Sequence, residues 1–80
     1  NSLFENTTGS DNTALGYNTA RGITTGSNNT ILGANITGLA AGLSNNIIIA
    51  DGAGNQRIKV DATGNMGIGT ASPTAKLEVA

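Results

Sequence analysis

A repeat of seventeen residues is the feature that most constrains what this chain can fold into. The stretches Thr7–Ile23 and Thr24–Ala40 carry the same residue at nine aligned positions: Thr7/Thr24, Thr8/Thr25, Gly9/Gly26, Ser10/Ser27, Asn12/Asn29, Thr13/Thr30, Leu15/Leu32, Gly16/Gly33 and Asn18/Asn35. A further step of seventeen residues reaches Ile47, Ile48 and Ile49. A short fixed period predicts a solenoid, in which each coil stacks on the next.

The residues of each repeat favour strands and corners over helices. Gly, Asn and Thr are poor helix formers, and seventeen residues can hold two short strands and two turns. The pairs Gly9/Gly26 and Gly16/Gly33 suit corners that need a positive φ or no side chain. Asn residues in register can form ladders between coils. The alternative is a flexible Gly/Ser/Asn-rich linker, but a linker would not preserve the apolar phase of the repeats.

The strand faces indicate an oligomer. Because side chains alternate along a strand, one face carries Thr13, Leu15, Thr30, Leu32, Ile47 and Ile49, and the other carries Ala14, Ile31 and Ile48. Both faces become apolar towards the third coil, and a strand that is apolar on both sides is buried on both sides. A coil has only one interior, so we expect the second face to meet another chain. The pattern does not fix the number of chains.

Composition supports association and argues against several function classes. The 80 residues include one Phe, one Tyr, no Trp and no Cys, so the core is poor and neither a disulfide nor a Cys-based zinc site can reinforce it. An obligate oligomer would supply the missing stability. The net charge is −1 and the four Lys and Arg residues are scattered, which argues against a nucleic-acid partner. No apolar run is long enough to predict membrane insertion.

The pattern changes after Gly54. Residues Gln56 to Asp61 alternate in polarity, Ala62–Asn65 is a turn signal, and Met66 and Ile68 alternate with glycines. This predicts a hairpin, with a further strand over Lys76–Val79 in which Leu77 and Val79 point inward. Two strands alone are marginal in water, so we expect the hairpin to fold around an oligomer axis as a neck.

Catalytic chemistry is not expected. Without His or Cys, a Ser-His-Asp or Cys-His site cannot form within this chain. Asp51 and Asp61 are the only neighbouring carboxylates, and turn or surface roles suit them better than a catalytic pair. The stretch Asp51–Asn55, "DGAGN", has one acidic position of a calcium loop but lacks the others. We predict no enzyme activity, no cofactor and no metal.

Two stretches resemble parts of known fibres. Asn12–Asn18, "NTALGYN", returns as "NTILGAN" at Asn29–Asn35, and this phrase resembles the head repeats of trimeric autotransporter adhesins. It is most similar to the longer-period version in phage tail fibres and bacterial trimeric surface fibres. Over about residues 1–54 the resemblance implies a left-handed parallel β-roll, three of which associate around one axis.

The second stretch is "GNMGIGTASPTAKLEV" at Gly64–Val79. It is similar to the junction that precedes a coiled coil or a C-terminal intramolecular chaperone in many tail fibres. The chain has no chaperone residues, so the self-cleaving activity of that family is not carried over. Because Asn1 aligns with Asn18, the chain begins within a repeat, and we expect further coils before it and a stalk, neck or chaperone after Ala80.

Together these observations predict an all-β fold, a trimeric parallel β-roll with 17-residue coils over residues 1–54 and a β-hairpin neck over 55–80. The resemblance implies an extracellular homotrimeric fibre head or tip, on a bacterial surface or a virion tail, that adheres to a cell-surface glycan or protein receptor. The alternatives are a shaft-to-neck spacer and a polysaccharide-degrading tail-spike domain. Phe4 and Tyr17 are candidate ligand contacts, with core or cap roles as the alternative. The predicted trimer and roll core is Leu15, Ile31, Leu32, Ile47, Ile48, Ile49, Ile58, Val60, Ile68 and Leu77.

Overall fold

The computed structural model describes residues 9–80, which form six short strands in one sheet and contain no helix. The strands follow one another across the sheet in chain order. They are β1 Thr13–Leu15, β2 Thr30–Leu32, β3 Ile47–Ala50, β4 Gln56–Val60, β5 Met66–Ile68 and β6 Leu77–Val79. The all-β prediction is therefore confirmed for the described part of the chain.

The first three strands are parallel, and their register equals the period of the sequence. Leu15 lies opposite Leu32, and Leu32 lies opposite Ile49. Each residue pairs with the residue seventeen positions along the chain, because equivalent positions of successive repeats lie side by side in the sheet. The spacing at which apolar residues recur in the sequence is therefore the spacing between paired residues in the sheet.

The corners of the repeats are built from residues that tolerate a positive φ. Asp11, Asn28 and Asn45 stand at equivalent positions of three successive repeats, with φ of 59°, 65° and 60°. Asn and Asp adopt this conformation more readily than most residues because their short side chains can bond to the local backbone. The same corner therefore recurs at the sequence period.

Two glycines of the repeat are required by space. A Cβ on Gly26 would lie 1.8 Å from the carbonyl oxygen of Leu43, in the next repeat. A Cβ on Gly33, whose φ is 122°, would lie 2.5 Å from the carbonyl oxygen of Ala50. The prediction that these glycines occupy corners closed to side chains is confirmed.

Side-chain ladders join the repeats where strands do not. The Oδ1 of Asn12 accepts hydrogen bonds from the backbone N–H and the Nδ2 of Asn29, both at 3.0 Å. The Oδ1 of Asn29 accepts one from the backbone N–H of Asn46, also at 3.0 Å. A parallel ladder links the N–H of Ser27 to the Oγ of Ser44 at 3.0 Å. The Asn ladder predicted from the repeat is present.

A small aliphatic core lies behind β1, β2 and β3. The strands contribute their middle residues, Ile31 and Ile48, which are fully buried. The segments between the strands contribute Ile23 and Ile36, which are equally buried. Sequence reasoning missed this second pair because the two isoleucines lie outside strands, where no alternation marks the inward side.

The last four strands, β3 to β6, form two hairpins and a crossover. The predicted hairpin is confirmed, since β4 and β5 pair antiparallel across the turn Ala62–Asn65. A second hairpin joins β3 to β4 through Asp51–Asn55 and was not predicted. β6 then pairs parallel with β5. The sheet is continuous past Gly54, where the sequence pattern changes.

The crossover from β5 to β6 explains the glycine in "MGI". A Cβ on Gly67 would lie 2.5 Å from the carbonyl oxygen of Thr70 and 3.4 Å from the Cβ of Pro73. Pro73 is buried against this position. The crossover therefore packs directly on the backbone of β5, which only a residue without a side chain permits.

Candidate association surface

One face of the sheet is apolar from β1 to β6. We call this the front face; directly opposite residues on neighbouring strands share a face, so the pairing defines its two rows. The first row is Thr13, Thr30, Ile47, Val60, Met66 and Leu77, and the second row is Leu15, Leu32, Ile49, Ile58, Ile68 and Val79.

The front face is not covered by the chain's own residues. Leu15 and Val79, at its two ends, keep 70% and 66% of their surface exposed, and Ile49, in the middle, keeps 39%. Ile58 and Val60 are half-buried. Monomeric soluble proteins seldom expose contiguous apolar patches of this kind, and such patches usually mark interaction sites.

The opposite side of the sheet, the back face, is partly covered by the chain itself. It carries Ala14, Ile31, Ile48, Lys59, Gly67 and Glu78. Behind the first three strands it is buried by the segments that connect the repeats. Behind β5 the crossover covers only Gly67. The chain therefore covers the apolar part of the back face, behind β1, β2 and β3, and leaves the front face open.

Charge is absent from the front face and present elsewhere. None of its twelve residues is ionisable, and only Thr13 and Thr30 are polar. On β4 the charged residues Arg57 and Lys59 alternate with Ile58 and Val60, which lie on the front face. A neutral face suits a neutral partner, because a buried charge without an opposite charge is strongly unfavourable.

The ten predicted core residues fall on both faces. Ile31 and Ile48 are buried within the chain on the back face. The other eight belong to the front face: Leu15, Leu32, Ile47, Ile49, Ile58, Val60, Ile68 and Leu77. The exposed Met66 and Val79 extend the same rows but were not among these ten. The alternation of apolar with other residues that identified Ile68 and Leu77 marks these two residues as well. Leu77 and Val79 were predicted to point inward, but the chain leaves both exposed on the front face.

The two candidate ligand contacts are placed differently. Tyr17 follows β1 at a corner, and 73% of its surface is exposed. Its backbone carbonyl accepts a hydrogen bond from the N–H of Asn35 at 2.9 Å, so the corner is fixed to the next repeat. Phe4 lies outside the described residues. The structure therefore brings no second aromatic side chain of residues 9–80 to Tyr17.

The carboxylate of Asp51 accepts hydrogen bonds within the turn between β3 and β4. It accepts them from the backbone N–H groups of Ala53 and Asn55 at 2.9 and 3.0 Å, and from the Asn55 side chain at 3.1 Å. The Arg57 guanidinium donates to it at 3.0 Å. Donation from the side chain of Asn55, then from its backbone, holds the pKa of Asp51 well below the ordinary value.

Asp61 repeats this arrangement in the next turn. It accepts from the backbone N–H of Asn65 at 2.9 Å and from the hydroxyl of Thr63 at 2.8 Å, and these bonds lower its pKa. The two aspartates stand at opposite ends of β4 and do not form a pair. Within residues 9–80 no cluster of three acidic, His or Cys side chains could hold a metal ion.

Neither membrane-spanning helices nor similarity to known proteins suggests another function for the described residues. Among the described residues, no helix is long and apolar enough to span a membrane. No protein-family model matches the chain, and neither a curated protein nor a solved structure matches it significantly. The chemistry of the front face is therefore the main guide to function.

Proposed function

We propose that this chain is a segment of a homotrimeric surface fibre of the β-roll type, and that its front face is the trimer interface. The observation that carries the proposal is the uncovered apolar face, which runs through all six strands. Burying one large aliphatic side chain contributes roughly 1.5–3 kcal/mol. Eight large apolar side chains of the front face are exposed, so covering the face would stabilise a chain with a small core of its own.

Further copies of the same chain fit this face best. With strands about 4.8 Å apart, each row is about 24 Å long, and a partner must offer an apolar stripe of similar length. The chain carries such a stripe itself. Two neutral apolar stripes bury no unpaired charge when they meet.

The number of copies and the fibre setting come from the resemblance. "NTALGYN" and "NTILGAN" at residues 12–18 and 29–35 resemble head repeats of trimeric adhesins, and Gly64–Val79 resembles a tail-fibre junction. Parallel strands in a 17-residue register are compatible with such a roll. The setting we propose is extracellular, on a bacterial surface or a virion tail fibre.

Assembly is tested with two variants that place the same new charge on opposite faces. Sedimentation equilibrium at micromolar concentration should give three times the chain mass of 7.9 kDa. Ile49→Glu puts a charge on the front face and should leave a monomer. Lys59→Glu puts the same side chain on the back face of the adjoining strand and should remain a trimer. A stable folded monomer of the unchanged sequence would contradict the proposal.

Adhesion to a cell-surface glycan or protein is the role we assign to the trimer, and a spacer is the alternative. Tyr17 is the exposed aromatic side chain that a ligand would meet among the described residues. Binding of the labelled trimer to cells and to a glycan array should be measured, and Tyr17→Ala should weaken it without changing the assembly. A trimer that binds neither cells nor glycans would be a spacer. Release of sugars from a surface polysaccharide would instead favour an enzyme.

A further inference from the structure

The two ends of the front face differ in how much buried core lies behind them. We call residues 9–50 the repeat segment and residues 51–80 the hairpin segment. Among the described residues, the repeat segment contains the whole buried aliphatic core: Ala20, Ile23, Ile31, Ile36 and Ile48. In the hairpin segment only Gly67 and Pro73 are buried. The hairpin segment therefore has no large buried side chain.

The apolar residues of the hairpin segment are concentrated on the front face. Its strands place six there: Ile58, Val60, Met66, Ile68, Leu77 and Val79. Their opposite sides are Lys59, Gly67 and Glu78, which cannot form a core. Backbone pairing with β3 is then its main attachment, and hairpins without a covered hydrophobic face are marginal in water.

The surface that the hairpin segment offers suits another copy of the same segment. In the first row, the repeat segment has Thr13 and Thr30, whereas the hairpin segment has Val60, Met66 and Leu77. Both rows are wholly apolar only from β3 to β6. A neutral apolar surface of this size matches itself and leaves no charge to pair.

We infer that the hairpin segment is the part of the front face that recognises partner copies, and that it keeps its fold only when the same segment of other copies covers it. The repeat segment folds on its own core and its Asn and Ser ladders. This inference rests on the proposed homotrimer. It adds that folding of the hairpin segment is coupled to association, whereas folding of the repeat segment is not.

Amide hydrogen exchange on the full chain tests the coupling. At concentrations where the trimer persists, the amides of Ile31, Ile48, Ile58 and Ile68 should all be protected. On dilution to the monomer, protection of Ile58 and Ile68 should fall at least about 100-fold, and that of Ile31 and Ile48 less than about tenfold.

Two matched variants separate the coupling from local damage. Leu32→Ser and Ile68→Ser alter the same row, at side chains that are 36% and 41% exposed. Both should dissociate the trimer. In both dissociated chains the Ile58 amide should lose protection and the Ile31 amide should keep it, although Leu32→Ser lies outside the hairpin segment.

The outcomes distinguish this inference from the proposed function. A trimer whose dissociated Leu32→Ser chain keeps the Ile58 amide protected overturns the inference and leaves the homotrimer standing. Loss of protection throughout the dissociated chain also overturns it, because the repeats would then depend equally on partners. An unchanged sequence that is monomeric at every concentration overturns both.

Discussion

The repeat segment and the hairpin segment share one sheet and one apolar front face, but they differ in what lies behind them. Behind the repeats, the chain returns after each strand and buries Ile31 and Ile48. Behind the hairpins, the corresponding positions are Lys59, Gly67 and Glu78. Continuous backbone pairing therefore does not make the two regions equally independent. What decides whether a region folds independently is whether its back face is covered, and only the repeats are covered there.

The difference follows from how each region reverses the chain. A parallel pair needs a long connection, and here the connections lie behind β1–β3 and carry Ile23 and Ile36 into the core. An antiparallel pair needs only a short turn, such as Asp51–Asn55, which contacts the corner at Asn35 but adds no buried side chain to the core. The repeat therefore builds a core as a consequence of parallel stacking, and the hairpins cannot.

The comparison predicts its largest effect at a repeat glycine. Gly26→Ala places a Cβ on the backbone carbonyl of Leu43, and backbone atoms can make room only if the repeats move apart. We expect a loss of about 3 kcal/mol or more in unfolding free energy. Gly52→Ala in the hairpin segment meets open space and should change it by less than about 0.5 kcal/mol. Urea unfolding at one fixed concentration measures both.

A similar loss for the two glycine variants would contradict this view of the repeats. It would mean that the close approach at Gly26 can be relieved without separating the coils, and that stacking is looser than the 3.0 Å bond from Ser27 to Ser44 indicates.

The second prediction compares two neighbours on the back face. Ile48 lies directly opposite Lys59, the first in the repeat segment and the second in the hairpin segment. Ile48→Ala removes buried atoms from the core and should cost about 2–5 kcal/mol. Lys59→Ala removes a partly exposed side chain and should cost less than about 0.5 kcal/mol. Thermal and urea unfolding give the two values, and equal costs would show that the back face is covered throughout.

The third prediction concerns the Asn ladder. Asn29 is buried, donates its Nδ2 to the carbonyl of Leu43 at 2.7 Å, and accepts from the N–H of Asn46. Asn29→Ala leaves both backbone groups without these partners, at about 1–3 kcal/mol each. The exposed Asn55 serves as the control, and Asn55→Ala should cost below about 1 kcal/mol. If the unfolding free energies of the two variants differ by less than about 1 kcal/mol, the ladder has no structural role.

The repeat made much of the fold predictable, since Leu15, Leu32 and Ile49 can keep one apolar phase only if their strands stack in that register. Alternation likewise gave the hairpin between β4 and β5. A turn or surface role was expected for Asp51, but the hairpin that Asp51–Asn55 closes was missed because "DGAGN" was compared only with a calcium loop. Comparison with "DATGN" ten residues later shows the same Asp and Gly-Asn spacing. The number of copies could not be read from one chain, because a pattern identifies the apolar face but not the symmetry that covers it.

The smallest predicted effect is a pH dependence confined to the hairpin segment. Hydrogen bonds from Asn55 and Asn65 lower the pKa of Asp51 and Asp61 below the ordinary value of 3.8. A carboxyl whose pKa is lower in the folded chain adds stability above its unfolded pKa, and that stability is lost as the pH falls through the folded pKa. The two turns should therefore weaken in acid below about pH 4. Both carboxyls are exposed, so the effect should be small.

A carboxyl carbon NMR titration checks this prediction residue by residue. Asp51 and Asp61 should each titrate below 3.8. Asn55→Ala removes the largest cause of the shift at Asp51, so the Asp51 pKa should rise towards its ordinary value while that of Asp61 stays unchanged. Amide exchange in acid should then increase at Ile58, between the two turns, before it increases at Ile31 in the repeats. Titration of Asp51 at or above 3.8 in the unchanged chain would mean that its turn does not hold the charged form.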